Sequence, residues 1–166
     1  YLPRTGEVRI ENMNDLGVLM HELGHKLDLE TFKLSDKLDV VKDPIIIANG
    51  KGQVSKMEDF RKQYGDEAVD GILHREKMRK EIVQLAKDSG HLGKSYKPDQ
   101  YTKEAIAEYI RMYVWGVTKN KAEKVTIPDL KAAAPEFTAY FEALMESNQR
   151  FKNMITNVKS DVADWK

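Results

Sequence analysis

Residues 16–29 read LGVLMHELGHKLDL, and this stretch decides the fold and the chemistry that we expect. Its apolar residues recur at intervals of three and four, at Leu16, Leu19, Met20, Leu23 and Leu27. That spacing predicts an amphipathic helix whose apolar stripe packs against the rest of the domain. His21 and His25 are one turn apart and lie roughly 140° from the stripe, so the helix also presents two imidazoles on a second face.

The segment His21-Glu22-Leu23-Gly24-His25 has the HExxH pattern of a helical zinc site. Two imidazoles one turn apart can reach a single Zn²⁺ at about 2.0–2.1 Å. Glu22 lies about 100° further round the helix, where it can take a proton from a metal-activated water and pass it to a leaving amine. The pattern predicts hydrolysis with His21 and His25 as ligands and Glu22 as general base. A solvated helix with two surface histidines is the alternative.

A catalytic zinc needs a third protein ligand. The extended metzincin pattern is excluded, because Asp28 and Thr31 occupy its glycine and third-histidine positions. Asp28 lies near the face of His21 but most of a turn beyond His25. We therefore expect it to accept an imidazole N–H rather than bind the metal, and a surface acid is the alternative.

Residues 102–109, TKEAIAEY, place Glu104 and Glu108 one turn apart on a predicted helix that begins near Thr102. Like charges at this spacing destabilise an isolated helix by about 0.2–0.5 kcal/mol, and a nearby metal with its imidazoles would reverse that sign. We assign Glu104 as the third ligand and Glu108 as the carboxylate that orients a histidine, with Arg111 placed to hold Glu108. On residue chemistry alone the opposite assignment of the two Glu fits almost as well, and a solvated face is the alternative.

Composition narrows the classes of function. The chain has 166 residues, 27 basic and 27 acidic side chains and no cysteine. Balanced charge argues against a dedicated nucleic-acid or anionic-membrane binder, and no apolar run is long enough for a transmembrane helix. The absence of cysteine excludes a thiolate zinc site. The start of the chain has no signal-peptide pattern, and we expect a single domain over residues 1–166 that is part of a longer chain.

The remaining pattern predicts a mainly helical α+β domain with a small β element. Strands are expected at residues 7–10 and 45–47, and further helices at about 55–64, 68–87, 135–144 and 151–165. Gly90 is expected to end the second of these helices. His74, in a charged helix, and His91, in a glycine-rich loop, are expected at the surface. Gly17 and Gly24 would let a neighbouring backbone, such as that of residues 7–10, approach the first helix closely.

Three blocks, MHELGHKLD at 20–28, KEAIAEYIRM at 103–112 and AAAPEFTAYFE at 132–142, resemble the catalytic domain of anthrax lethal factor and related gluzincins, including clostridial Pro-Pro endopeptidases. In that family the motif reads HExGHxxD, and a downstream helix of the form ExxAExxR supplies the third ligand from its first Glu. The resemblance implies a zincin-like fold in which the HExxH helix packs against the Glu-bearing helix. It implies the ligands His21, His25 and Glu104, the base Glu22, and Glu108 as an outer carboxylate.

The resemblance also implies a tyrosine that hydrogen-bonds the oxyanion of the reaction. Ser95-Tyr96 matches the Ser-Tyr pair of the family but lies one residue farther from Glu104, and Tyr101 is the rival. Residues 32–94 show no match. The ending from Pro135 onward also resembles peptidase-like modules inside phage and mobile-element polyproteins.

We therefore predict a zinc-dependent endopeptidase that acts on a protein or peptide and binds neither nucleic acid nor membrane. Two imidazoles and a carboxylate would also suit Mn²⁺, Fe²⁺ or Co²⁺. Two alternatives stay open. One is a non-catalytic, zinc-stabilised structural or interaction module of a phage or mobile-element protein. The other is a helical interaction domain without metal.

Overall fold

The protein is seen in a computed structural model that describes residues 16–34, 61–62, 65–118 and 121–164. Six α-helices lie in these ranges: α1 (Leu16–Leu27), α2 (Asp66–Asp88), α3 (Tyr101–Trp115), α4 (Ile127–Ala133), α5 (Pro135–Ser147) and α6 (Gln149–Asp164). A π-helical turn, Asp28–Phe32, continues α1, and a 3₁₀ turn, Pro98–Gln100, leads into α3.

The mainly helical prediction is confirmed for the described part of the chain. Its β structure there is limited to one bridge between Val117 and Lys124. The strands predicted at 7–10 and 45–47 lie outside the described residues, as does the helix predicted at 55–64 apart from residues 61–62. No helix of the described part is both long and apolar enough to cross a membrane.

Helix α3 is the centre of the packing. Ten of its fifteen residues are buried, because α1, α2 and α6 all pack against it. Helix α5 contacts α2, α4 and α6, and its Phe137 and Phe141 are fully buried against Tyr109 of α3. The buried Tyr109 hydroxyl donates a hydrogen bond to Thr138 at 2.9 Å, so its polar end is satisfied inside the core.

Helices α1 and α3 cross at Gly24. A Cβ atom built there would lie within 3.0 Å of Cα of Ala107 and 3.2 Å from its backbone N and O. The predicted close approach is therefore confirmed at Gly24, and the approaching backbone is that of α3. Gly17, two turns earlier on nearly the same face of α1, meets the guanidinium of Arg111 instead of a backbone. The crossing matters for function because it sets the distance between the HExxH motif and the Glu-bearing helix.

Candidate metal centre

Two helices bring three predicted ligands to one point. Nε2 of His21 lies 3.1 Å from Oε2 of Glu104, and Nε2 of His25 lies 3.6 Å from Oε1. One donor atom from each of the three residues falls within 4.8 Å of the others. Neighbouring donors of a tetrahedral zinc with bonds of 2.0–2.1 Å lie about 3.3–3.4 Å apart, so these distances suit a shared metal ion. The described residues thus contain a His/His/Glu group that can hold a metal.

Burial and charge give His25 and Glu104 the protonation states that metal binding requires. Burial of His25, together with the nearby His21, lowers the pKa of His25 to about 4. Burial raises the pKa of Glu104, but its interactions with His21 and His91 outweigh this, and the net pKa lies well below the usual range. At neutral pH His25 is therefore neutral and Glu104 ionised, as ligands must be.

Glu108 lies one turn beyond Glu104 and is completely buried. One of its carboxylate oxygens and one ring nitrogen each of His21 and His91 form a second group within 4.8 Å. Nε of Arg111 is 4.0 Å from Oε2 of Glu108. The structure therefore places Glu108 beside a histidine and beside Arg111, where the sequence predicted it. Its function as an orienting carboxylate stays a prediction.

His91 was predicted at the surface, and that prediction is wrong. The residue is only 2% exposed, and its Nε2 lies 3.4 Å from Oε2 of Glu104. Its ring centroid is 5.0 Å from that of His21. The prediction failed because it used the glycine-rich composition of the loop and not the geometry of the helix end. The prediction that His74 lies at the surface is confirmed, since its side chain is exposed and pairs with Glu136.

A local signal could have identified His91. Gly90 has a φ of 77°, and it donates to the carbonyl of Lys87 while His91 donates to that of Ala86, both at 2.9 Å. This is the Schellman helix ending, and Gly90 is its left-handed glycine, as predicted. The residue after that glycine folds back against the helix and is commonly buried. Here that buried position belongs to a histidine.

The two candidate tyrosines lie in different surroundings. The ring of Tyr96 is 5.5 Å from the ring of His91. Burial, followed by the negative charges of Glu104 and Glu108, raises the pKa of Tyr96, so its hydroxyl stays protonated at neutral pH. Tyr101 instead stacks under Lys87, whose Nζ is 5.3 Å from its ring centroid. Tyr96 is therefore the tyrosine that the structure places at the metal-binding group.

Glu22 and Asp28 complete the set of predicted residues. Glu22 is half-buried, and its carboxylate is close enough to His21 and His25 to interact with them electrostatically. Asp28 is 2% exposed and accepts a hydrogen bond from the backbone N–H of Leu34 at 2.8 Å, so it closes the turn after α1. The expected interaction of Asp28 with an imidazole stays a prediction.

Comparisons with protein-family models, with curated proteins and with solved structures find no match for this chain. The resemblance to gluzincins therefore stays an expectation carried by the quoted motifs. The function proposed below depends on the residues of the site and on their geometry.

Proposed function

We propose that this protein is a zinc-dependent endopeptidase of zincin-like fold, with its active site at the His21/His25/Glu104 group. The observation that carries the proposal is the convergence of these residues. Glu104 is separated from His21 by 83 residues, yet its carboxylate meets both imidazoles of an HExxH motif at distances suited to one metal. Three protein donors leave a position of a tetrahedral metal free for chemistry, which is the pattern of catalytic zinc sites.

His21, His25 and Glu104 would hold the metal. A bound Zn²⁺ supplies a more acidic water and polarises a peptide carbonyl. Glu22 accepts the proton of the attacking water and delivers it to the leaving amine. The hydroxyl of Tyr96 donates a hydrogen bond to the carbonyl oxygen as negative charge develops there. Glu108 supports the site by accepting an imidazole N–H.

The presence of Glu22 favours an enzyme over a structural zinc module. A site that only stabilises the fold needs ligands that close around the metal and has no use for a general base. Here the acid sits between the two histidines in sequence and stays partly accessible, as a residue that must meet substrate requires.

The test combines metal analysis with cleavage of a peptide library. We expect about one zinc per chain and cleavage within the library. Glu22→Gln should keep its metal while kcat falls by on the order of 10²–10⁴-fold, the usual contribution of a general base. Glu67→Gln, which changes an exposed Glu in the first turn of α2, is the control and should leave both values unchanged.

Three outcomes would contradict the proposal. Substantial cleavage by Glu22→Gln would refute the assignment of the base. Stoichiometric zinc without cleavage of any peptide would favour a zinc-stabilised interaction module. A melting temperature that does not change when a chelator is added would favour a domain without metal, because a ligand that binds the folded state raises its stability.

A further inference from the structure

His91 has no role in the mechanism proposed above, although it lies inside the site. Its imidazole stands between the two carboxyl groups of α3: Nε2 is 3.4 Å from Oε2 of Glu104, and Nδ1 is 3.9 Å from Oε2 of Glu108. Its side chain is 1% exposed and that of Glu108 is not exposed at all. The ring therefore faces a carboxyl group with each nitrogen, and the ring and Glu108 are both shielded from water.

Backbone hydrogen bonds hold the main chain of His91 in place. The N–H of His91 donates to the carbonyl of Ala86 at 2.9 Å, and the carbonyl of His91 accepts from Gly93 at 3.1 Å. Ser89 adds a side-chain hydrogen bond to the same Ala86 carbonyl at 2.9 Å. His91 is thus fixed to the end of α2, a helix that packs along α3. Its ring is also buried, with the rings of His21 and Tyr96 at 5.0 and 5.5 Å between centroids. A side chain confined in this way can determine the position of a neighbour that is more exposed.

Glu104 is such a neighbour. Its Oε2 faces both His21 and His91, and its Oε1 faces His25. An interaction at Oε2 from outside the ligand set limits rotation of the carboxylate and keeps its oxygens directed at the two ligand imidazoles. Groups that orient a metal ligand in this way typically contribute 10–100-fold to metal affinity.

We propose that His91 is a positioning residue, which holds Glu104 in the rotamer that meets His21 and His25. This inference rests on the proposed function in that it takes Glu104 to be a ligand. The geometry separates His91 from the ligand set, because the group that contains His25 does not include His91. His91 belongs instead to the group around Glu108.

Two amide substitutions of His91 test which of its ring nitrogens, the one toward Glu104 or the one toward Glu108, contributes to zinc affinity. Gln carries its amide nitrogen at the ε position and Asn carries it at the δ position, so each keeps a donor on one side only. His91→Gln retains a donor toward Glu104, and His91→Asn retains one toward Glu108. We expect the zinc dissociation constant of His91→Gln to stay within about threefold of wild type and that of His91→Asn to rise by about 10–100-fold. His74→Gln and His74→Asn change an exposed histidine of α2 and are the matched controls.

Zinc affinity is measured by competition with a chromophoric chelator, after circular dichroism has shown that each variant is folded. The absorption spectrum of the Co²⁺-substituted protein reports the ligand set, and the spectrum of His91→Gln should match that of wild type. Equal weakening in both variants, or an altered Co²⁺ spectrum in His91→Gln, would show that His91 is itself a ligand and overturn the inference. Wild-type affinity in His91→Asn would overturn it as well.

The test separates this inference from the proposed function. If zinc affinity falls in His91→Asn but the protein cleaves no peptide, the endopeptidase proposal is refuted and the positioning role stands. If the protein cleaves peptides but His91→Asn binds zinc as tightly as wild type, the positioning role is refuted and the endopeptidase proposal stands. Two zinc ions per chain would overturn the inference, because His21, His91 and Glu108 would then hold a metal of their own.

Discussion

Gly24→Ala should damage the metal site by pushing apart the two helices that build it. The new Cβ would lie within 3.0 Å of Cα of Ala107, where ordinary contact begins at 3.4 Å. The obstacle is the backbone of α3 in the centre of the core, which cannot move aside as a flexible side chain could. Helices α1 and α3 must therefore separate by at least about 0.4 Å at their crossing.

The size of the effect follows from two opposing contributions. Overpacking a core costs about 1–3 kcal/mol, and alanine regains up to about 1 kcal/mol of helix propensity relative to glycine. The net loss of unfolding free energy is therefore on the order of 1–2 kcal/mol, which lowers the melting temperature by about 2–8 °C for a chain of this size. Metal–ligand distances tolerate only about 0.2 Å. Since His21 and His25 flank Gly24 on one helix and Glu104 lies on the other, zinc affinity should fall at least about tenfold.

Gly17→Ala is the matched control on the same helix. Its Cβ would meet the guanidinium end of Arg111, which can move because it terminates a flexible side chain. Stability should stay within about 1 kcal/mol of wild type. Zinc affinity should fall less than in Gly24→Ala, because the displaced group is the Arg111 side chain beside Glu108 and not the backbone of a helix that carries a ligand. Thermal melts with and without zinc, together with competition titrations, measure both quantities. If Gly24→Ala were as stable as Gly17→Ala and bound zinc equally well, the claim that this crossing sets the ligand geometry would be refuted.

Two further predictions concern individual residues of the site. Glu104→Ala should leave the purified protein with far less than one zinc per chain by elemental analysis. Glu123→Ala removes an exposed acid and should keep its metal. Full zinc content in Glu104→Ala would show that Glu104 is not a ligand. Tyr96→Phe should lower kcat by about 10²–10³-fold with little change in KM, the effect of losing one oxyanion donor, and Tyr101→Phe should leave kcat unchanged. The opposite ranking in steady-state assays would assign the oxyanion donor to Tyr101.

Much of the site could be predicted because several of its residues are recognisable from their spacing along the sequence. The i, i+4 interval between His21 and His25 predicts one helical face, with Glu22 beside it, and the i, i+4 interval between Glu104 and Glu108 predicts another. Gly90 was identifiable as a helix end because a left-handed residue there favours glycine. The short helix α4 was missed, although Thr126 and Asp129 form a capping box at its start. Its signal is confined to a few residues and lacks the long apolar periodicity on which the other helices were predicted.

Local spacing determines which side chains share a helix face, since that follows from 3.6 residues per turn alone. It does not determine which faces meet, because contacts between distant segments depend on the packing of the whole core. Three features of the site depend on such contacts between distant segments. They are the convergence of Glu104 with His21 and His25, the packing of the Ala107 backbone against Gly24, and the burial of His91. His91 illustrates the difference most clearly: a polar residue in a glycine-rich segment is ordinarily solvated, and only the docking of α2 along α3 places its ring between two carboxyl groups.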